Sequence, residues 1–363
     1  MSSISWVTCC DEQTGTDLNY CRCSDITDSE SFEFCVGNLT FSNKSNYTLN
    51  FLDPRPDALL VVAGDETEGP SSSVEILVRN VHGEYEPRSP KGCYKFPNNT
   101  SSATGAVYND LPTICAGYVE GDPSRECYKL STTGQWNSAF QLNRSLIYGG
   151  ASILFDAYEN ITHSSWVFVG GDPDGVSTQV LEDNTINATM LDLPLHINMP
   201  PCMAKINNTH GFLIAEPTSE FAPTNFAWIL NRESWTWTRL SNSQESHSGP
   251  ACGFIQNTAG RFIVVAGGYE SSTTELLNLD TLEWSPGPTL PGNVYGGSLV
   301  SVMDEQELVL VGGYDTAARS QILRLDSTMD SWIPAGNLST PRFSSVALGV
   351  PVEDLPQTLN LPC

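Results

Sequence analysis

The chain has 363 residues, with 42 Asp and Glu against 17 Lys and Arg, for a formal net charge of −25. That balance disfavours nucleic acid and anionic membrane surfaces as partners through long-range repulsion. No apolar run approaches the ~18 residues of a spanning helix, so membrane insertion is not expected, and the length suits one large domain with a short addition.

Residues 1–50 read as a Cys-rich, glycosylatable segment. Five of the eleven cysteines (Cys9, Cys10, Cys21, Cys23, Cys35) fall here, and Cys363 is the last residue. So short and polar a segment cannot build a core, and cross-links are the usual remedy in an oxidising compartment. Zinc is not expected: Cys9-Cys10 and Cys21-x-Cys23 lack the C-x2-C spacing of zinc ribbons, and no histidine is near. Residues 1–10 show neither the basic region nor the apolar core of a signal peptide. The chain is then either cytosolic or a processed or incomplete form of a secreted precursor.

From residue 51 to 350 one pattern recurs. Each copy has an apolar run ending in a small residue or a glycine pair, a second apolar strand, and then an aromatic. The clearest copies are 261–270 (RFIVVAGGYE), followed by 274–280 (TELLNLD) and Trp284, and 307–315 (ELVLVGGYD), followed by 321–326 (QILRLD) and Trp332. Weaker copies begin at 59–65 (LLVVAGD), 113–118 (TICAGY), 165–172 (SWVFVGGD) and 212–217 (FLIAEP). Three of them keep the second strand at 74–79, 126–130 and 227–231 and the aromatic as Tyr85, Trp136 and Trp235; after Gly171 the aromatic is missing or replaced. The spacing of about 45 to 54 residues marks a repeat protein.

The duplicated Gly-Gly-Tyr-acidic signature resembles the kelch-repeat family, strongly in two units and weakly in four, over 51–350. The resemblance implies an all-β, six-bladed kelch-type β-propeller. Innermost strands fall at 105–109, 144–150, 202–206, 252–255 and 295–302, and a last one lies within 337–349. No innermost strand precedes Leu59, so the resemblance implies that the C-terminal strand completes the first blade and closes the ring. The recurrent Trp is a large filler between blades with an N–H that needs a partner. Residues 351–363 are left as a tail.

Ten Asn-x-Ser/Thr acceptors are present: Asn38, Asn43, Asn46, Asn98, Asn99, Asn143, Asn160, Asn187, Asn207 and Asn337. This is about twice the chance expectation and favours a secreted glycoprotein over a merely Ser/Asn-rich composition. Cys115 and Cys127 lie on consecutive strands of one unit, where sheet spacing permits a bridge. Cys202 and Cys252 hold the same position in successive innermost strands and are either paired near the mouth of the channel or buried thiols. An odd cysteine count leaves one free or paired with another chain.

The loops leaving the glycine-pair strands open on acids: Asp65, Glu66 and Glu68; Glu120 and Asp122; Asp172 and Asp174; Glu216 and Glu220; Glu270; and Asp315. Since every such loop leaves at the same end, the phase predicts an acidic crown on one face. It is a solvated rim, a docking face for a basic partner, or a weak calcium site, for which 172–175 (DPDG) is the candidate although it lacks spaced ligands. Arg144 and Arg342 share a position at the start of innermost strands. They are ligand contacts if they face the opening and structural if they pair with acids.

His82, His163, His196, His210 and His247 lack metal-ligand spacing, and no G-x-S-x-G elbow or carboxylate pair stands out. No catalytic residue, metal or cofactor is therefore expected. The function expected is a non-catalytic, extracellular, protein-binding propeller; the alternative is a cytosolic kelch substrate-adaptor or scaffold, with an enzymatic propeller behind both.

Overall fold

Alternating apolar runs bounded by Gly, Asn and Asp turns fold as strands, and strand after strand pairs antiparallel with its neighbour in sequence. A computed structural model describes residues 6–10, 17–22, 58–88, 94–158, 161, 163–172, 175–183, 185–187, 199–217, 225–302 and 306–351. The chain divides into two compact units at residue 54. Of the first, a two-stranded antiparallel hairpin of Trp6–Cys10 and Asp17–Arg22 is described.

The second unit is all-β among the described residues. Sheets 2 to 6 are sets of four antiparallel strands in simple chain order, innermost strand first; the last strand of sheet 6 also pairs in parallel with Tyr85–Pro87, Gly336 opposite Tyr85, so sheets 6 and 1 are hydrogen-bonded into one. Sheet 2 comprises Thr104–Tyr108, Leu111–Cys115, Glu126–Leu130 and Trp136–Gln141; sheet 3 comprises Ile147–Phe155, Ser165–Asp172, Gly175–Glu182 and Thr185–Asn187. Sheet 4 comprises Cys202–Lys205, His210–Ala215, Phe226–Asn231 and Thr236–Arg239. Sheet 5 comprises Ala251–Asn257, Gly260–Gly268, Ser271–Asn278 and Trp284–Pro286; sheet 6 comprises Ser298–Val302, Glu307–Val311, Gln321–Leu325 and Trp332–Asn337.

Sheet 1 is assembled from both ends of the unit. Ala58–Val62 pairs with Gly69–Arg79, which pairs with Tyr85–Pro87, and on its other side Ala58–Val62 pairs with the C-terminal strand Val346–Val350, Leu60 opposite Leu348. The strand Tyr94–Ser101, absent from the sequence reading, adds to Gly69–Arg79. The innermost strand of sheet 3 also differs from expectation: it runs 147–155 rather than 144–150, and its pairing with Ser165–Asp172 is broken by an irregularity between Ile147 and Gly150. The strand does not end at the Gly149-Gly150 pair but continues through it into the apolar residues beyond.

The glycine-pair signature has a conformational cause. Gly267 and Gly268 sit at φ +70° and +133°, Gly312 and Gly313 at +65° and +106°. A Cβ on Gly312 would fall 2.5 Å from the Arg342 carbonyl oxygen, and one on Gly267 would strike that of Val294. The weaker copies reproduce the turn with alanine first: Ala63-Gly64 at +59° and +97°, Ala116-Gly117 at +62° and +84°. Alanine tolerates the left-handed region at a modest cost, so these are the same element in degenerate sequence.

A flat sheet cannot bury both faces alone, and here the buried apolar side chains lie between neighbouring sheets. One cluster joins sheets 1 and 2 (Leu60, Val62, Ile114, Leu130), and others join 2 with 3, 3 with 4, 4 with 5 and 5 with 6. A further cluster joins sheet 6 to sheet 1 through Leu59, Leu77, Tyr85, Val309, Val311 and Ile322. Aromatics at the heads of fourth strands reach backward: Trp284 Nε1 donates to the Ser241 carbonyl at 3.1 Å, and Trp332 Nε1 donates to Thr274 Oγ1 and the Pro288 carbonyl at 3.1 Å. Both indoles are buried.

Candidate binding face at the strand-start end

The innermost strands neighbour one another in sequence order, and Val346–Val350 lies beside those of both sheet 6 and sheet 2. Their first residues line an opening of about 190 Å³. The lining is small and hydroxylic, with Ser102, Thr104, Ser152, Ser298, Ser344 and Ser345 among glycines, alanines and prolines. Backbone bonds tie equivalent loop positions together around it: Gly296 N–H to the Gly249 carbonyl at 3.2 Å, Ser344 N–H to Gly296 at 2.7 Å, and Ser102 N–H to Ser344 at 2.9 Å. Beside Gly249 the neighbouring innermost strands are joined by the Cys202–Cys252 disulfide, with Cα atoms 5.9 Å apart. A second disulfide, Cys115–Cys127, links directly paired residues of sheet 2. Two disulfides are compatible with an oxidising environment.

Second strands run antiparallel to innermost ones, so the loops that follow them emerge at this same end. Glu120, Asp122 and Glu270 are exposed there, and Glu120 and Glu270 occupy left-handed turn positions. Asp65 is half-buried: its N–H donates to the Phe343 carbonyl at 2.8 Å and that of Phe343 returns to Asp65 at 3.1 Å. Burial pushes the Asp65 carboxyl up from its ordinary value, opposed by a hydrogen bond from Ser101. Glu66 accepts from Ser73 Oγ at 2.6 Å, and Glu216 from Ser248 Oγ at 2.5 Å. Asp315 is half-buried, with Asn293 Nδ2 at 3.5 Å from its Oδ1. Asp172 ends its strand opposite Gly175; Asp174 and Glu220 lie outside the described residues, as does the middle of the 172–175 calcium candidate.

The two arginines part company. Arg144 is exposed, and its backbone is clasped by the Gln179 side chain through bonds of 2.9 and 3.0 Å. Arg342 is fully buried and does not face the opening. Its guanidinium donates to Glu75 Oε1 at 2.5 Å and to the carbonyls of Ala63 and Ser73 at 3.1 and 3.2 Å. Glu75 also accepts from the N–H groups of Ser339 and Thr340 at 2.7 and 3.1 Å. Of the two roles open to Arg342, the structural one applies.

Sheet 5 repeats this anchor. Glu275 accepts from the N–H groups of Gln244 and Glu245 at 2.8 and 3.0 Å, and from His247 Nε2 at 2.9 Å. The offsets 339, 340, 342 and 244, 245, 247 are the same, so a buried glutamate on a third strand grips the loop entering an innermost strand. His247 is thus a packing residue, buried with its Nδ1 at 2.7 Å from the Gly267 carbonyl.

At the same end a row of rings runs across the loops of sheets 5, 6 and 1. Tyr269 meets Tyr295 with centroids 6.3 Å apart, Tyr295 meets Phe343 at 6.3 Å, and Phe343 meets Tyr314 at 5.0 Å. Tyr269 is 56% exposed, and the Tyr295 ring covers Gly249 in the lining. Burial, and then the nearby Asp65 charge, push the Tyr295 phenol above its ordinary value. Tyr269 and Tyr314 follow the glycine pairs of sheets 5 and 6, a signal the sequence carried, whereas Tyr295 and Phe343 come from connecting loops.

Among the acceptor asparagines, Asn99, Asn143, Asn207 and Asn337 are exposed, and Asn98 is half-buried with its amide donating to Tyr128 Oη at 3.3 Å. Asn38, Asn43, Asn46 and Asn160 lie outside the described residues, as does the side chain of Asn187. Among the described residues no group of three or more His, Cys, Asp or Glu is arranged to hold a metal. No protein-family model matches the chain, and no curated protein matches it.

Proposed function

We propose that residues 51–350 form a closed, six-bladed kelch-type β-propeller that acts outside the cell as a non-catalytic binding module, its loop face engaging a basic protein partner. The observation that carries the reading is the composition of one end of the unit. Exposed Glu120, Asp122 and Glu270 lie on loops at the end where four aromatic rings meet in a row, on a chain of net charge −25. Aromatic anchors amid complementary charge are what protein interfaces use for affinity and steering. The apolar clusters between successive sheets, and the pairing of Val346–Val350 with Ala58–Val62, support closure of the ring. Two disulfides and the excess of glycan acceptors favour the extracellular reading over a cytosolic adaptor, whose thiols would be kept reduced.

The test uses a fluorescent decapeptide alternating lysine with glycine and serine. Charge reversal at Glu120, Asp122 and Glu270 should slow its association and flatten the salt dependence. The melting temperature should hardly move, since exposed charges contribute little to stability. Equal binding of the reversed protein at low salt would remove the loop face as the docking surface.

A further inference from the structure

A groove of about 470 Å³ lies where the fourth strands of sheets 6 and 1 meet. That volume falls within the roughly 300–1,000 Å³ of small-molecule sites. A Cβ on Gly336 would strike the Tyr85 carbonyl, so the two strands meet there backbone to backbone. Glu84, Glu86, Pro87 and Pro334 are exposed along the groove, and so is Asn337, the acceptor of Asn337-Leu338-Ser339. Asn337 Oδ1 accepts from Ser320 Oγ at 3.5 Å, while Nδ2, the atom that would bear a sugar, makes no hydrogen bond among the described residues. The same nitrogens of Asn98 and Asn143 donate to Tyr128 Oη and to the Ile186 carbonyl, both at 3.3 Å. An acceptor with its nitrogen unengaged thus lines a groove sized for a ligand.

We propose that this groove cradles the first sugars of a glycan carried on Asn337, which staples the seam between sheets 6 and 1. The inference rests on the extracellular reading and adds a binding site to it. A sugar ring offers apolar C–H faces to the two prolines and hydroxyl donors to the carboxylates of Glu84 and Glu86, and hydrogen bonds to an ionised acceptor are the stronger kind. Those carboxylates share a neutral partner, Asn80 Nδ2, at 3.3 and 2.8 Å. No cationic side chain among the described residues forms an ion pair with either. A sugar tethered beside its site has a high effective concentration there, so weak contacts suffice. Strand pairing across this seam is a single residue pair among the described residues, which leaves a staple something to hold.

The experiment uses the full chain from a eukaryotic secretory host, with occupancy of each acceptor read by glycopeptide mass. Ser339→Ala abolishes the acceptor but keeps Asn337 and the Ser339 N–H bond to Glu75. It should lower the melting temperature by about 2–4 °C. Glu84→Gln with Glu86→Gln should cost a similar amount in the glycosylated chain and nothing further in the Ser339→Ala background, because both changes remove one contact. Hydrogen exchange along 84–87 and 332–337 should run several-fold slower with the glycan than without it. Asn337→Gln serves if Ser339→Ala folds poorly. Additive losses, or a Ser339→Ala chain that melts with the native glycoprotein, would overturn the cradle. Sugar at other acceptors with Asn337 bare would overturn it and leave the extracellular reading standing, whereas a chain bare at every acceptor would overturn both.

Discussion

Replacing Glu75 by alanine tests the joint between the two ends of the folded unit. Glu75 is 4% exposed, and its carboxylate is shared by Arg342 and the N–H groups of Ser339 and Thr340. Its loss leaves a guanidinium that is 0% exposed with only the longer 3.8 Å pairing to Glu66, and leaves two backbone donors without their acceptor. Stranding one partner of a buried pair costs about 3–5 kcal/mol. At about 2 °C per kcal/mol for a unit this large, the melting temperature should fall by roughly 6–10 °C. Glu275→Ala is the internal control. It frees the same two kinds of N–H, but its partner is an imidazole and not a permanently charged guanidinium, so the cost should be about 1–3 kcal/mol. Thermal melts and urea midpoints of the two variants, measured together, decide the matter. Hydrogen exchange in Glu75→Ala should quicken first along 58–62 and 346–350. A Glu75→Ala protein that melts with the native chain, or no worse than Glu275→Ala, would refute this account of the joint.

Trp284→Ala and Trp332→Ala should each cost about 3–5 kcal/mol in urea denaturation, because each removes a buried indole and its hydrogen bonds to the preceding sheet; unchanged midpoints in both would sink the packing account. Asp65, whose folded pKa is raised by burial, binds its proton more tightly folded than unfolded, so its contribution to stability falls as pH rises from about 3.8 through the raised value. Asp65→Asn should therefore lose stability relative to the native chain less, or gain on it, as pH climbs through that window, and parallel pH profiles would count against the burial effect. Intact-mass measurement of protein from a eukaryotic secretory host should show glycan at exposed Asn99, Asn143, Asn207 or Asn337, and reduction should add at least four protons for the two described disulfides; an unglycosylated mass would contradict the extracellular reading.

The strands were legible because their signal is local. The apolar runs at 59–65, 261–270 and 307–315, and the aromatics Tyr85, Trp136, Trp284 and Trp332 that head fourth strands, fell where they were expected. Local signal fades where a residue's partner is far along the chain. From its place before an innermost strand Arg342 could be either a ligand contact or a structural residue; only Glu75, 267 positions away, decides for the structural role. The strand at 94–101 reads as a polar stretch (YKFPNNTS) and is a strand because Gly69–Arg79 offers it a free edge. The aromatic row escaped notice for the same reason: Tyr295 and Phe343 lie in separate loops and meet only when sheets 5, 6 and 1 stand side by side.

The loops around the opening behave as a hoop made of unlike links. From residue 249 through 296 and 344 to 102 each link is one backbone hydrogen bond, which breaks and re-forms freely. Between positions 200 and 249 the described hydrogen bonds supply none, and Cys202–Cys252 is the link instead. Strain that widens the hoop must open it elsewhere for as long as that bridge is oxidised. Reduction removes the one covalent tie described in the hoop, between sheets 4 and 5, so thiol chemistry sets whether that joint can part.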